Sequence, residues 1–162
     1  MALFQTHFPP LLLLLLSLLP LSLSSTTIHD LLRSNGLPAG LFPKAVKSFS
    51  FSSQTGLLEV RLDGPCLTKF DTMAFYESVI TANLTYRSLS AVEGLSQEEL
   101  FLWLPVKDIS VLDPKSGLIL FDIGLAQKQL SLSLFEDPPD CKPERGVLMK
   151  RGGKGKGFEA RR

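Results

Sequence analysis

Histidine and cysteine are scarce in this chain, with two of each among 162 residues. His7 precedes a leucine-rich leader, so His29 is the only histidine that would remain once a leader is removed. A Ser-His-acid hydrolase would have to use His29, and no Gly-x-Ser-x-Gly elbow is present to carry its nucleophile. His29, Cys66 and Cys141 lack the short spacing and the fourth ligand of a structural metal site. No Gly-rich loop followed by Lys and Ser or Thr is present to cradle a phosphate. Glu98 and Glu99 are adjacent, so their side chains diverge and make a poor acid–base pair. Asp137 and Asp140 flank two prolines and read as turn residues. These shortages point away from an enzyme and imply no catalytic residue, no metal and no cofactor.

Long apolar runs are confined to the N-terminus. From Phe8 to Leu23 the chain is almost wholly leucine, broken by Pro9, Pro10, Ser17, Pro20 and Ser22. That is short of the roughly 20 residues of a bilayer span and matches the apolar region of a secretory signal. Ser22 and Ser24 supply small residues for cleavage after Ser24, although Met1–His7 carries no Lys or Arg. The expected organisation is a signal peptide over 1–24, a folded domain over 25–141 and a disordered basic tail over 142–162. Such a protein is secreted or held in the endomembrane system. In that setting Cys66 and Cys141 have one intramolecular pairing open to them. Closing their loop of 75 residues would contribute roughly 4 kcal/mol in the chain-entropy model. Asn83-Leu84-Thr85 is an N-glycosylation sequon, which places Asn83 at the surface if it is used.

Charge separates body from tail. Residues 26–141 hold 14 acidic and 9 basic side chains, whereas residues 142–162 hold 8 basic and 2 acidic ones. The small overall charge of +1 therefore combines a body of −5 with a tail of +6. The tail suits an anionic surface. Its glycine-spaced lysines lack the interleaved aromatics that stack on bases, so no nucleic acid is expected.

The body reads mainly as strands. Thr27 and Asp30 form a capping-box pattern for a short helix that carries Ile28, Leu31 and Leu32 and stops at Asn35-Gly36. Pro38–Pro43 is an apolar crossing expected to pack on the body. The period then changes to two: Phe49 and Phe51 alternate with serines, and Leu58, Val60 and Leu62 alternate with Glu59 and Arg61. Strands are expected over 75–80 and 83–89. The run Leu100–Leu104 reads as a strand covered on both faces, with Pro105 at its end. Asp113–Gly117 is a turn between strands over 106–112 and 118–123, and a last strand carries Leu130, Leu132 and Leu134. The fold class is mainly β, an antiparallel barrel or sandwich with one or two short helices.

Several segments, in order, resemble the plant family called domain of unknown function 538. They are Asp30-Leu31-Leu32, Gly36–Pro43, Gly56–Val60 with Cys66, Gly94-Leu95, Leu100–Val106, Phe121–Gly124, and Phe135–Pro139 with Cys141. The resemblance implies a compact barrel-like β domain with short helices, and usually a signal peptide. The family has been likened to lipid-binding proteins of the bactericidal permeability-increasing type and linked to stress responses and chlorophyll.

In a barrel, Phe49, Phe51, Phe101, Trp103 and Phe121 would line a pocket for a fatty or isoprenoid ligand. The competing expectation is that they fill the core. The leading functional reading is a secreted, non-enzymatic, monomeric domain that binds an apolar or lipid-like molecule. The second is a ligand-free interaction protein of the extracellular space or endomembrane system, and an esterase-type hydrolase is third.

Overall fold

A computed structural model describes residues 26–142. The signal peptide expected over 1–24 and all but the first residue of the basic tail lie outside the described residues. The fold class is as expected: among the described residues, nine antiparallel strands form one open sheet, with one α-helix and short 3-10 turns.

Helix α1 spans Ile28–Ser34 and opens with the expected capping box. The Thr27 hydroxyl accepts from the Asp30 backbone N–H, and the Asp30 carboxylate accepts from the Thr27 backbone N–H. These reciprocal bonds satisfy two amides that would otherwise lack partners at the helix start. Ile28 and Leu32 are buried, so the helix lays one apolar face on the sheet. The following crossing, Leu37–Phe42, is almost continuously buried and includes one 3-10 turn, Ala39–Leu41. Gly40 is needed there for close approach. A Cβ at this position would stand 2.5 Å from the carbonyl oxygens of Phe135 and Asp137.

The strands are β1 (Val46–Phe51), β2 (Leu57–Leu62), β3 (Cys66–Lys69), β4 (Met73–Thr85), β5 (Ser88–Glu99), β6 (Leu102–Pro105), β7 (Asp108–Ser110), β8 (Leu118–Asp122) and β9 (Gln127–Ser131). Their order is β1-β2-β4-β5-β7-β8-β9, with β3 on β4 and β6 on β5. Alternation sets the faces: Leu58, Val60 and Leu62 of β2 are buried, as are Ala74, Tyr76, Ile80, Ala82 and Leu84 of β4. Phe49 and Phe51 stand opposite Val60 and Leu58 and pack half-buried at the rim of this core. Tyr76 lies in the core with its hydroxyl donating to the Leu41 carbonyl at 2.8 Å, which fastens the crossing to the sheet. Burial pushes that hydroxyl well above the usual tyrosine range.

Two bulges bend β5. Ala91 and Gly94 both have positive φ, and a Cβ at Gly94 would meet the Val79 carbonyl oxygen at 2.4 Å. The register with β4 shifts across this region, and β-bulges of this kind increase local twist. The sheet curls enough for Lys128 of β9 to reach Glu99 at the end of β5 (2.5 Å) and Asp71 before β4 (3.4 Å). No ladder joins β1 to β9 among the described residues, so the sheet stays open.

Three expectations are corrected. The strands expected over 75–80 and 83–89 lie largely in one long strand, β4, because the hairpin turn falls at Tyr86–Arg87. Leu132 and Leu134 lie in a 3-10 turn, Leu132–Phe135, capped by the Ser131 hydroxyl. The run Leu100–Leu104 is not a strand covered on both faces. Its first two residues form an exposed turn, and β6 begins only at Leu102.

The disulfide Cys66–Cys141 is formed, with Cα atoms 5.3 Å apart. It ties the end of the body to β3, and the Lys142 amide donates to the Leu67 carbonyl at 2.7 Å.

Candidate functional site

Strands β5 and β6 form a hairpin in which Glu99 pairs with Leu102, leaving Leu100 and Phe101 as a two-residue loop. A loop of type I′ has positive φ at both positions, which is why Asn-Gly and Gly-Gly dominate it. Here φ is 48° at Leu100 and 68° at Phe101. Left-handed backbone costs roughly 1–2 kcal/mol per residue with a side chain, because Cβ crowds the following carbonyl. The two side chains recover nothing from the core. Leu100 is 88 % exposed, Phe101 93 % and Leu102 61 %. A strained turn that also presents large apolar side chains to solvent runs against both local propensity and burial, and such conflicts concentrate at functional sites.

The surroundings are charged. Leu100 and Phe101 border an open cleft of about 450 Å³ whose other walls are Lys69, Asp71, Thr72, Met73, Glu98 and Lys142. Lys69 stands opposite Met73 across the β3–β4 ladder, so both project to the outer face of the sheet. Two lysines and two carboxylates leave the cleft close to neutral. Behind the hairpin, the ion pairs of Lys128 with Glu99 and Asp71 anchor the end of β5. Gln97, buried on the inner face, donates to the Thr72 hydroxyl at 2.8 Å and joins β5 to the β3–β4 turn. The apolar tip is therefore carried on a braced base.

The five aromatics proposed as a pocket lining are distributed over separate places. Phe121 is buried and stacks on Phe135 at 5.3 Å. Phe49 and Phe51 lie on the edge strand β1, and Trp103 is half-buried with its ring edge-on to Phe75 at 6.2 Å. Phe101 alone of the five borders the cleft. Sequence reasoning missed Leu100 as its companion, since an apolar run of this length carries no mark of a turn.

His29 is engaged structurally: its Nδ1 donates to the Ala39 carbonyl at 2.9 Å and braces the helix against the crossing. Among the described residues, no group of three His, Cys, Asp or Glu side chains is arranged to hold a metal, and no helix is long and apolar enough to cross a membrane. Asn83 is exposed near the far end of β4, opposite Leu57 and Ser90 on its neighbouring strands. Its side-chain amide lies against the Thr55 and Gly56 carbonyls, which its nitrogen reaches at 3.1 and 3.2 Å in the orientation that satisfies both as acceptors.

Residues 28–136 match a family model described as "Protein of unknown function, DUF538". No curated protein and no solved structure gives a match.

Proposed function

Since the chain belongs to the DUF538 family, whose description assigns no activity, we propose a function from its own surface: a secreted, non-enzymatic binding domain that engages an apolar or lipid-like partner through the Leu100–Phe101 tip. The observation that carries this reading is the pair of large apolar side chains held in left-handed backbone at 88 % and 93 % exposure. The interior favours contact at the tip over a ligand inside a barrel. Its inner face is occupied by a continuous cluster of buried side chains, from Ile28 and Leu32 through Tyr76 to Phe135. The leucine-rich leader and the Cys66–Cys141 bridge support passage through an oxidising compartment. A glycan on Asn83 would not obstruct the tip. Asn83 stands ten residues along β4 from Met73, roughly 30 Å at strand rise.

Trp103 lies two residues beyond the tip and is the only tryptophan, so it reports on this end of the hairpin. Dodecylphosphocholine micelles are expected to shift its emission to the blue and to move the amide resonances of Leu100 and Phe101. Substituting Leu100→Asn/Phe101→Gly should abolish both responses. Emission and tip resonances unchanged by micelles would refute the reading.

A further inference from the structure

Resting on the tip reading above, we infer that the cleft beside the tip is a headgroup site for a zwitterionic phospholipid. The partner is a phosphocholine bilayer, with Leu100 and Phe101 entering its acyl boundary. Lys69, Lys142 and Thr72 face the phosphate, and Glu98, Asp71 and the Phe101 ring face the quaternary ammonium.

The cleft offers charge of both signs without cancelling it. Among the described residues Lys69, Glu98 and Lys142 form no ion pair, and of the four charged walls only Asp71 is paired, to Lys128. The ladders keep the signs apart. Lys69 pairs with Met73 across β3 and β4, and Ala74 pairs with Gln97, so the next step along sets Met73 beside Glu98. Lys69 and Glu98 thus share the outer face two strands apart, roughly 10 Å at the usual strand spacing. That separation suits a ligand carrying its own anion and cation, whereas a ligand of one charge would meet a repulsive wall. Thr72 adds a donor. Its hydroxyl accepts from Gln97 at 2.8 Å and donates to no group among the described residues, which leaves its proton for an anion in the cleft.

The cation side suits an alkylated ammonium. Phe101 borders the cleft with an almost wholly exposed ring, and Glu98 stands opposite Trp103 on the β5–β6 ladder, so an indole shares its face. Aromatic rings attract quaternary ammonium groups and add to the pull of the carboxylate. Because that ring belongs to the tip, headgroup and acyl boundary are reached in one pose. The setting agrees with the chemistry. Anionic lipid gives the cytoplasmic leaflet its negative potential, and a secreted protein does not meet that leaflet. A protein partner fits the tip less well. A stable interface buries about 800 Å² on each side, and here the exposed apolar surface is the two-residue turn with Leu102.

Cosedimentation of residues 25–162 with phosphatidylcholine vesicles, and with digalactosyldiacylglycerol vesicles of the same acyl chains, tests this. Neither surface has a net charge, so the two differ only in the headgroup. The native sequence should bind phosphatidylcholine about tenfold more tightly, the combined effect of two exposed charge contacts and one cation–π contact. Lys69→Gln/Glu98→Gln should bring phosphatidylcholine binding down to the level of the galactolipid, with an unchanged urea midpoint. Leu100→Asn/Phe101→Gly should abolish binding to both. Soluble phosphocholine, equal in concentration to the lipid, should displace neither. Equal binding to the two vesicle types, no binding to either, a preference untouched by Lys69→Gln/Glu98→Gln, or displacement by soluble phosphocholine would overturn the inference. A tip response to micelles alongside equal binding to the two vesicle types would leave the tip reading standing and remove the headgroup site.

Discussion

Replacing Leu100 by asparagine and Phe101 by glycine is expected to raise the unfolding free energy of the domain by about 2 kcal/mol, while removing its apolar contact surface. The gain follows from backbone alone. Both residues sit at positive φ in a two-residue hairpin loop, and each non-glycine side chain there costs roughly 1–2 kcal/mol. Asparagine tolerates that conformation and glycine adopts it freely, which makes Asn-Gly the preferred pair for this turn. Little packing is lost in exchange, since Leu100 and Phe101 are almost fully exposed. Urea unfolding at unchanged m-value measures the difference. Gain of stability together with loss of binding is the signature of a stability–function trade-off at this turn. If the double variant is less stable than the native protein, the turn makes contacts that its exposure conceals.

The Cys66→Ser/Cys141→Ser variant is expected to lose roughly 4 kcal/mol, the chain-entropy value for a closed loop of 75 residues. The body over residues 26–142 is large enough to bury a real core, so the variant should still fold at low temperature with a greatly lowered midpoint. The loss also has a local side. Cys141 and Lys142 form the anchored end of the chain, held to β3 by the bridge and by one backbone hydrogen bond. Without the bridge Lys142 is held to β3 by that hydrogen bond alone. Equilibrium unfolding of oxidised and reduced protein checks the first effect, and a change below about 1 kcal/mol would contradict it.

Much of the fold is legible from residues whose chemistry admits few alternatives. Thr27 with Asp30 specifies a helix start because the two side chains satisfy each other's backbone amides. Asp113–Gly117 specifies a turn because proline fits its first helical position and Gly117 adopts the left-handed backbone that follows. Leu58, Val60 and Leu62 specify a face because a strand alternates. The bridge between Cys66 and Cys141 was the one intramolecular pairing open to two cysteines.

The candidate site is illegible for the same physical reason that it is informative. A run such as Leu100–Leu104 ordinarily pays for its desolvation by burial, so its composition argues for a covered strand. The turn at Leu100–Phe101 carries neither glycine nor asparagine to announce it. Tyr86–Arg87 behaves likewise: Arg87 has positive φ without a glycine, and the β4–β5 hairpin is therefore displaced from its expected position. Leu132 and Leu134 alternate with serine as a strand would, yet Ser131 caps a 3-10 turn that brings Phe135 into the core. In each case tertiary packing or surface exposure overrides a local pattern.

The most direct measurement places a reporter at the point in question. In a Trp103→Phe background, Phe101→Trp puts the single tryptophan at the tip, and vesicles of brominated phosphatidylcholine quench it only from within the acyl region. Strong quenching that is absent with unbrominated vesicles is the predicted result. Emission at the wavelength of exposed tryptophan, unquenched by the brominated lipid, would contradict a tip that engages an apolar or lipid-like partner.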